Sequence, residues 1–529
     1  MLIGLPARLN FYFTMKSIYK FLLVSFVAAT SSALLTSCDK TIEEPLRVGY
    51  TPATLDDKAG TWKPYILSTP TAVTVAAPVA TTSSAYAAEL SSLKAKSAEL
   101  TRAQQEAVVY WGAGAVYRWN EIARELAAKY NLPPASNAAG TYPVPDPANP
   151  NADPRFPFAN PPYTARALAY LSVAQYDALV ATWHYKYLYK RVAPSKVDAG
   201  IRVALPVSSL PSYPSEDAVV AAASAVVLKA MFPGEVAFID AKVAEHAASR
   251  QWAGMNVESD LTAGSSLGTQ VAALVMGRAR TDGMSAANNQ SLTAGMIEAA
   301  QGRGQTQIWL SQESPIRPPM LPNYGAVSTW NFDRATLVKL RPGPAPLPGT
   351  AQFDKELDEL KTIQKTQTRE QARIANFWAD GAGSYTPPGH WHRIAANAAH
   401  EARYSEVRMA RTLALLGTTL QDAGVCCWET KFYYYTPRPQ QFGVKTSVGL
   451  PNFPSYTSGH STFSGAAATV LSYIFPERSQ EFMDKATEAS VSRIYGLIHF
   501  RSDCETGLIC GKNIGSYAVN RGKADGSGL

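Results

Sequence analysis

The chain has 529 residues, 46% of them hydrophobic and 17% charged, with a formal net charge of +7. This is the balance of a folded globular protein and excludes a disordered or coiled-coil chain. The charge is mild, with no polybasic run and no nucleic-acid motif, so nucleic acid is excluded as a partner; the balance suits anionic small substrates or is neutral background.

At the start of the chain, Met15, Lys16 and Lys20 precede an apolar run over residues 21–35, followed by Thr36, Ser37 and Cys38. A basic start, a short apolar stretch and small residues make a secretory signal over 1–37, with Met15 as the expected first residue. The run is too short for a comfortable membrane span. Small residues directly before Cys38 resemble a bacterial lipoprotein signal, in which that cysteine is lipidated. The expected location is therefore the cell envelope, at the outer membrane, with the protein held by a lipid anchor and facing the periplasm or the surface. Residues 38–90 are rich in Thr, Pro, Ala and Ser without a sustained helical period, and are expected to form a flexible tether. The remainder, 91–529, is expected to be one helical domain.

Helical patterning runs over 87–130 and stops at Asn131-Leu-Pro-Pro. After a Pro/Asn/Asp loop, the small and apolar positions from Tyr163 onward suit a closely packed buried helix. Its Arg166 and Asp177 are read as a structural ion pair or cap. Further helices are expected over 216–231, 238–251, 261–280, 353–378 and 394–422. Residues 293–348, rich in Gly, Pro and Trp, read as a functional rim. Strand-like alternation is scarce, so the fold class is all-α. Besides Cys38 there are four cysteines, which allow three pairings. A bridge from Cys426 or Cys427 to Cys504 stands beside buried thiols as the two options, and Cys504 with Cys510 is not expected to pair.

Three polar islands then follow within residues 431–503. The first holds Lys431 and Arg438; Pro437 and Pro439 forbid a continuous helix between them, so Lys431 is expected to end a helix and Arg438 to ride the next loop. The second, Ser458-Gly459-His460, precedes an apolar run and is placed at a helix N-terminus, where free N–H groups and the dipole favour an anion. The third holds Ser492, Arg493, His499 and Asp503. His499 and Asp503 are spaced to touch on one helical turn, and a carboxylate on the far ring nitrogen fixes the tautomer for a nucleophile or a metal ligand. Three fixed cations, two histidines, a hydroxyl and a glycine amide suit a tetrahedral oxyanion such as phosphate or vanadate. His390 and His392, without an evident third ligand, are read as rim or loop residues, and Tyr433 to Tyr435 as packing.

The order and spacing of these residues resemble the superfamily of type 2 phosphatidic acid phosphatases and vanadium-dependent haloperoxidases: Lys431, Arg438, Pro439, then Ser458, Gly459, His460, then Ser492, Arg493, His499, Asp503. Trp428, Phe453, the stretch from Ala165 to Asp177, and Phe377-Trp378-Ala-Asp380 with Thr386 to Trp391 resemble the haloperoxidase branch, so that the likeness covers roughly 100–520. The resemblance implies a helical bundle holding vanadate, with phosphate as a possible substitute. Lys431, Arg438, Ser458, Gly459 and Arg493 would bind its oxygens, and His499 would be the axial ligand. His460 would be the acid–base group, Lys431 would polarise bound peroxide toward halide, and Asp380 would partner a site arginine. Substrates would be hydrogen peroxide with halide or a small organic molecule. The competing reading is an acid phosphatase in which His499 attacks phosphorus, His460 protonates the leaving alcohol and Asp503 steadies His499. A reading of another class is a non-catalytic envelope binding lipoprotein.

Overall fold

The computed structural model describes residues 47–142, 156–207 and 209–528. The expected signal, the start at Met15 and the lipidation site Cys38 lie outside them. Among the described residues there is no strand. The helices of the body are α1 (Ser84–Ala98), α2 (Arg102–Gly112), α3 (Ala115–Tyr130), α4 (Pro161–Tyr189), α5 (Glu216–Met231), α6 (Val236–Trp252) and α7 (Glu258–Ala279). They continue with α8 (Ala351–Thr366), α9 (Arg369–Phe377), α10 (Thr386–Glu401), α11 (Glu406–Tyr434), α12 (Gly459–Ile474), α13 (Ser479–Tyr495) and α14 (Arg501–Lys523). No helix among the described residues is long and apolar enough to cross a membrane.

Local signals explain most boundaries. The helical stretch expected over 87–130 is three helices, because Thr101 forms a capping box with Gln104 and Gly114 turns the chain at φ 117°. Asn160 caps α4 ahead of prolines in its first turn. The irregular stretch 293–348 contains two short helices, Thr293–Gly302 and Arg334–Leu340.

Helices α4 and α11, 29 residues each and so roughly 44 Å long, pack on each other and form the centre of the body. Both are buried along most of their length. Around them α5 packs on α7, and α12 packs on α14 and α13. Small residues allow this closeness. A Cβ at Gly511 would collide with the Thr462 carbonyl, and one at Gly465 with the Leu508 carbonyl. Backbones that approach this closely hold helix ends in fixed register, which is what positions the polar islands.

The expected tether is a correction. The compact unit begins at Val48, and Trp62, Leu67 and Val73 are buried in the main core. The backbone N–H groups of Tyr65, Ile66 and Leu67 donate to the Asp177 carboxylate. The hydroxyls of Tyr185, Tyr189 and Tyr213 donate to the carbonyls of Val73, Val75 and Ala76. The segment is an extended belt whose hydrogen bonds come from distant side chains, so it carries no period of its own. Asp177 therefore does not pair with Arg166, which instead pairs with Asp282 at 2.7 Å. The four described cysteines are free, buried thiols, and neither bridge to Cys504 forms.

Candidate oxyanion site

Four helix ends meet at one place. Lys431 lies in the last turn of α11, and Arg438 leads into the 3-10 turn Pro439–Phe442. Ser458 caps α12, with Gly459 and His460 in its first turn. Arg493 lies in the last turn of α13, and Asp503 in the first turn of α14. The helix-ending prolines, the Ser-Gly cap and Gly496 at the end of α13 are thus what bring the islands together.

Lys431, Arg438 and Arg493 are 0%, 1% and 1% exposed, and no carboxylate lies within ion-pair distance of any of them among the described residues. Backbone carbonyls hold them instead. Lys431 Nζ donates to Pro454 O at 2.9 Å and Ser455 O at 2.7 Å. Arg438 donates to Phe453 O at 2.7 Å and Ile498 O at 2.8 Å. Arg493 donates to Ala375 O and to Ser492 Oγ, both at 2.9 Å. An ammonium has three donors and a guanidinium five, so each keeps donors in reserve. Burial pushes Lys431 down to about 8, Arg438 down to about 9 and Arg493 down to about 10. Three buried cations without counter-charge cost several kcal/mol per ion in lost hydration, a cost that a bound anion offsets. The Phe453 ring lies 5.1 Å from Lys431 Nζ and 5.0 Å from the Arg438 guanidinium, and 4.9 Å from the Trp428 ring.

His499 Nδ1 lies 3.0 Å from Asp503 Oδ2 and 3.1 Å from Ser455 Oγ. The Ser455 hydroxyl donates to the same carboxylate oxygen at 2.5 Å, and the Phe500 N–H donates to it at 3.0 Å. Asp503 so accepts the Nδ1 proton and leaves the lone pair on Nε2, the nitrogen available to the cavity that His499 lines. Burial first, and then the three cations, hold His499 far below the usual imidazole range, so the ring is neutral. The expected contact exists but its geometry differs from one helical turn. His499 precedes α14, and Asp503 reaches back across the helix N-terminus as a cap.

His460 is also neutral, held far below its ordinary value by burial and by Arg493. It hydrogen-bonds the Trp378 backbone, while its Nε2 has no partner and lies 3.9 Å from Asp380 Oδ2. Asp380 is placed differently from the expectation that it partners a site arginine. Its carboxylate contacts His390 Nδ1 at 3.1 Å, and that ring stacks on Trp378 with centroids 4.5 Å apart. Burial would raise Asp380, but His390, with His460 and Arg493, brings it below the usual carboxylate value. His392 is remote from this network, bonded to Asn120 at 3.0 Å.

The residues the islands left unmarked are Ser455, His390 and the carbonyls of 453–455. Ser455 stands three before Ser458 in the loop that leads to the cap, which is the only signal it offers. Among the described residues no group of three or more His, Cys, Asp or Glu gathers as a metal cage, so the donor set is one imidazole, cations and amides, which is suited to an anion.

Residues 411–520, which contain every island residue, match the family profile of the PAP2 superfamily. The bundle is similar to a bacterial vanadium-dependent iodoperoxidase, at 21% identity and a TM-score of 0.53 over 68% of this chain and 91% of that one. It is also similar to a holo-type bacterial vanadium-dependent chloroperoxidase, at 12% identity and a TM-score of 0.50 over 75% and 99%. Likeness at these identities is one of fold. No curated protein matches the chain.

Proposed function

We propose that the protein is a vanadate-dependent haloperoxidase-like enzyme that oxidises halide with hydrogen peroxide. The observation that carries the reading is the set of three buried, carboxylate-free cations beside a neutral histidine whose Nδ1 proton is held by Asp503. A tetrahedral oxyanion that also accepts one nitrogen lone pair fits this donor set, and vanadate is such an anion. Lys431, Arg438, Arg493, the Ser458 hydroxyl and the Gly459 amide would hold its oxygens, and His499 Nε2 would be the ligand to the metal.

When bound, vanadate supplies a Lewis acid that activates peroxide toward halide without changing oxidation state. The chain's own part is electrostatic and acid–base. Lys431 and the two arginines, themselves almost fully buried, hold negative charge with donors fixed in place before the reaction. His460 Nε2, unpartnered and neutral, accepts a proton from an incoming peroxide and returns it to a leaving hydroxyl. Asp380 at 3.9 Å steadies the imidazolium that forms between those events. Ser455 and Asp503 keep the His499 lone pair on Nε2 throughout.

The same His499–Asp503 pair also has the form a phosphorus-attacking nucleophile needs, which keeps a phosphatase as the second reading. One assay pair on protein from residue 39 onward separates the two. Halogenation of a phenol-type indicator is measured with peroxide and iodide, bromide or chloride, with and without orthovanadate, and phosphate-ester hydrolysis is measured beside it. Vanadate-dependent halogenation is expected; its absence, with brisk ester hydrolysis blocked by vanadate, would give the site to the phosphatase. Binding of neither oxyanion would leave a non-catalytic binding protein. The lipid anchor at Cys38 and the envelope location are part of the same proposal and rest on the N-terminal signal.

A further inference from the structure

The carbonyls of residues 453–455, on which Lys431 and Arg438 rest, belong to an irregular loop with no ladder of its own. One side of the loop is fastened close to Arg438. The Ser455 N–H donates to Thr436 O at 3.1 Å, and the Tyr456 N–H to Thr436 Oγ1 at 2.9 Å. The other side is fastened by Asn452 to a distant part of the chain, residues 311–320. The Asn452 side-chain amide donates to Pro318 O at 2.7 Å and to Arg317 O at 3.3 Å, and its Oδ1 accepts from the Ser311 hydroxyl at 2.8 Å. Its backbone carbonyl accepts from the Met320 N–H at 3.1 Å. An asparagine side chain has two donor hydrogens and an acceptor oxygen, and both ends are engaged here. Residues 311–320 form neither helix nor strand, so their carbonyls are free to take a side-chain donor. The same segment reaches Trp428, whose indole N–H donates to Met320 O at 3.2 Å. Met320 is thus bonded through its N–H to Asn452 and through its carbonyl to Trp428.

We propose that Asn452 is a positioning residue of the oxyanion site: by tying residues 311–320 to Phe453 it fixes the carbonyl and ring against which Lys431 and Arg438 are held, and so sets the affinity for an oxyanion. The proposal rests on the oxyanion reading of the site and on neither of the two activities. Phe453 follows Asn452 directly. Its carbonyl takes Arg438 Nε at 2.7 Å, and its ring lies 5.1 Å from Lys431 Nζ and 5.0 Å from the Arg438 guanidinium. The donors that each cation spends on carbonyls fix the direction of those it keeps for an anion, because a guanidinium is a planar fork and an ammonium is tetrahedral. A loop free to drift would turn the remaining donors away, and an anion would then have to reorganise them on binding. Asn452 acts through Phe453, and residues 311–320 are the support it is anchored to.

The test titrates inorganic phosphate into the purified protein by calorimetry, for Asn452→Ala, Ser311→Ala and the double variant. Ser311 and Asn452 are only half-buried, so all three are expected to fold. Asn452→Ala is expected to weaken phosphate about tenfold, the lower end of what removing an outer hydrogen-bond partner costs at a metal site. Ser311→Ala removes one of the bonds to Asn452 and should weaken phosphate by a smaller factor. The double variant should bind no more weakly than Asn452→Ala, because the Ser311 hydroxyl acts only through Asn452. Asp177→Ala, which loosens residues 65–67 instead, serves as a stability control: its Tm should fall while its phosphate affinity stays unchanged. Unchanged affinity in Asn452→Ala, additive losses in the double variant, or an equal loss in Asp177→Ala would each overturn the proposal. Failure of the unaltered protein to bind phosphate or orthovanadate would instead overturn the oxyanion reading, and the proposal with it.

Discussion

Lys431 shows how function sets itself against stability at a single residue. Its ordinary value of 10.5 is lowered to about 8 by burial. Between those two values the unfolded chain binds more protons than the folded one, so the anion-free protein gains stability as pH rises through that window. Below about pH 8 the buried charge is a cost that an oxyanion relieves. Lys431→Met is therefore expected to leave the anion-free protein as stable as before or more so at pH 7, and to lose its rise in Tm with orthovanadate or phosphate. A charge-assisted bond contributes about 1.5–3 kcal/mol, so oxyanion affinity should fall about 10- to 100-fold; differential scanning fluorimetry reads both effects. In the unaltered protein the oxyanion-induced rise in Tm should shrink as pH passes about 8. Asp380 provides a second case. It raises the proton affinity of His460 against burial and Arg493. Asp380→Asn should shift the acid limb of the pH–rate profile to lower pH, since burial, Arg493 and His499, which all disfavour the charged form of His460, then act without that carboxylate to oppose them. An unshifted limb would remove His460 from the proton-transfer role.

At the scale of elements, the belt over residues 62–76 is tied by groups far away in sequence. Asp177, deep in α4, takes three backbone N–H groups of the belt, although burial raises its pKa to about 6. Asp177→Ala leaves those donors buried and unpaired, at about 1–3 kcal/mol each. The variant is expected to become sensitive to limited proteolysis within 62–76 and to lose several degrees in Tm; an unchanged cleavage pattern would mean that the belt is held by its apolar residues alone. The site helices follow a different logic. Proline and the Ser-Gly cap end α11 and start α12 by local rules, and these were legible in the residues. The first turn of α14 was not. His499 and Asp503 have helical spacing, and only the left-handed Leu497 (φ 60°) and the extended cap residue Phe500 turn that pair into a contact across a helix start.

For the whole molecule, the compact unit from Val48 onward joins its two ends. Lys63 N–H donates to Asp525 O at 2.8 Å, and Arg521 donates to Pro64 O at 2.8 Å. Cys38→Ala in the full-length protein is expected to remove palmitate labelling and release the enzyme from the membrane fraction while leaving its oxyanion-dependent Tm rise intact; membrane retention without lipid would overturn the anchor.

The sequence alone determined the helical class, the polar residues that make up the three islands, and the placement of Lys431 and Ser458 at helix ends. These follow from periodicity, proline and caps, which act over a few residues. Tertiary structure decided the belt, the partner of Asp380, the free state of the four cysteines and the role of Ser455, because each depends on which distant group fills a hydrogen bond or occupies a neighbouring volume. It also decided the cavity. No local pattern encodes empty space, since that space is what remains after α4, α10, α11, α12 and the loops between them have packed.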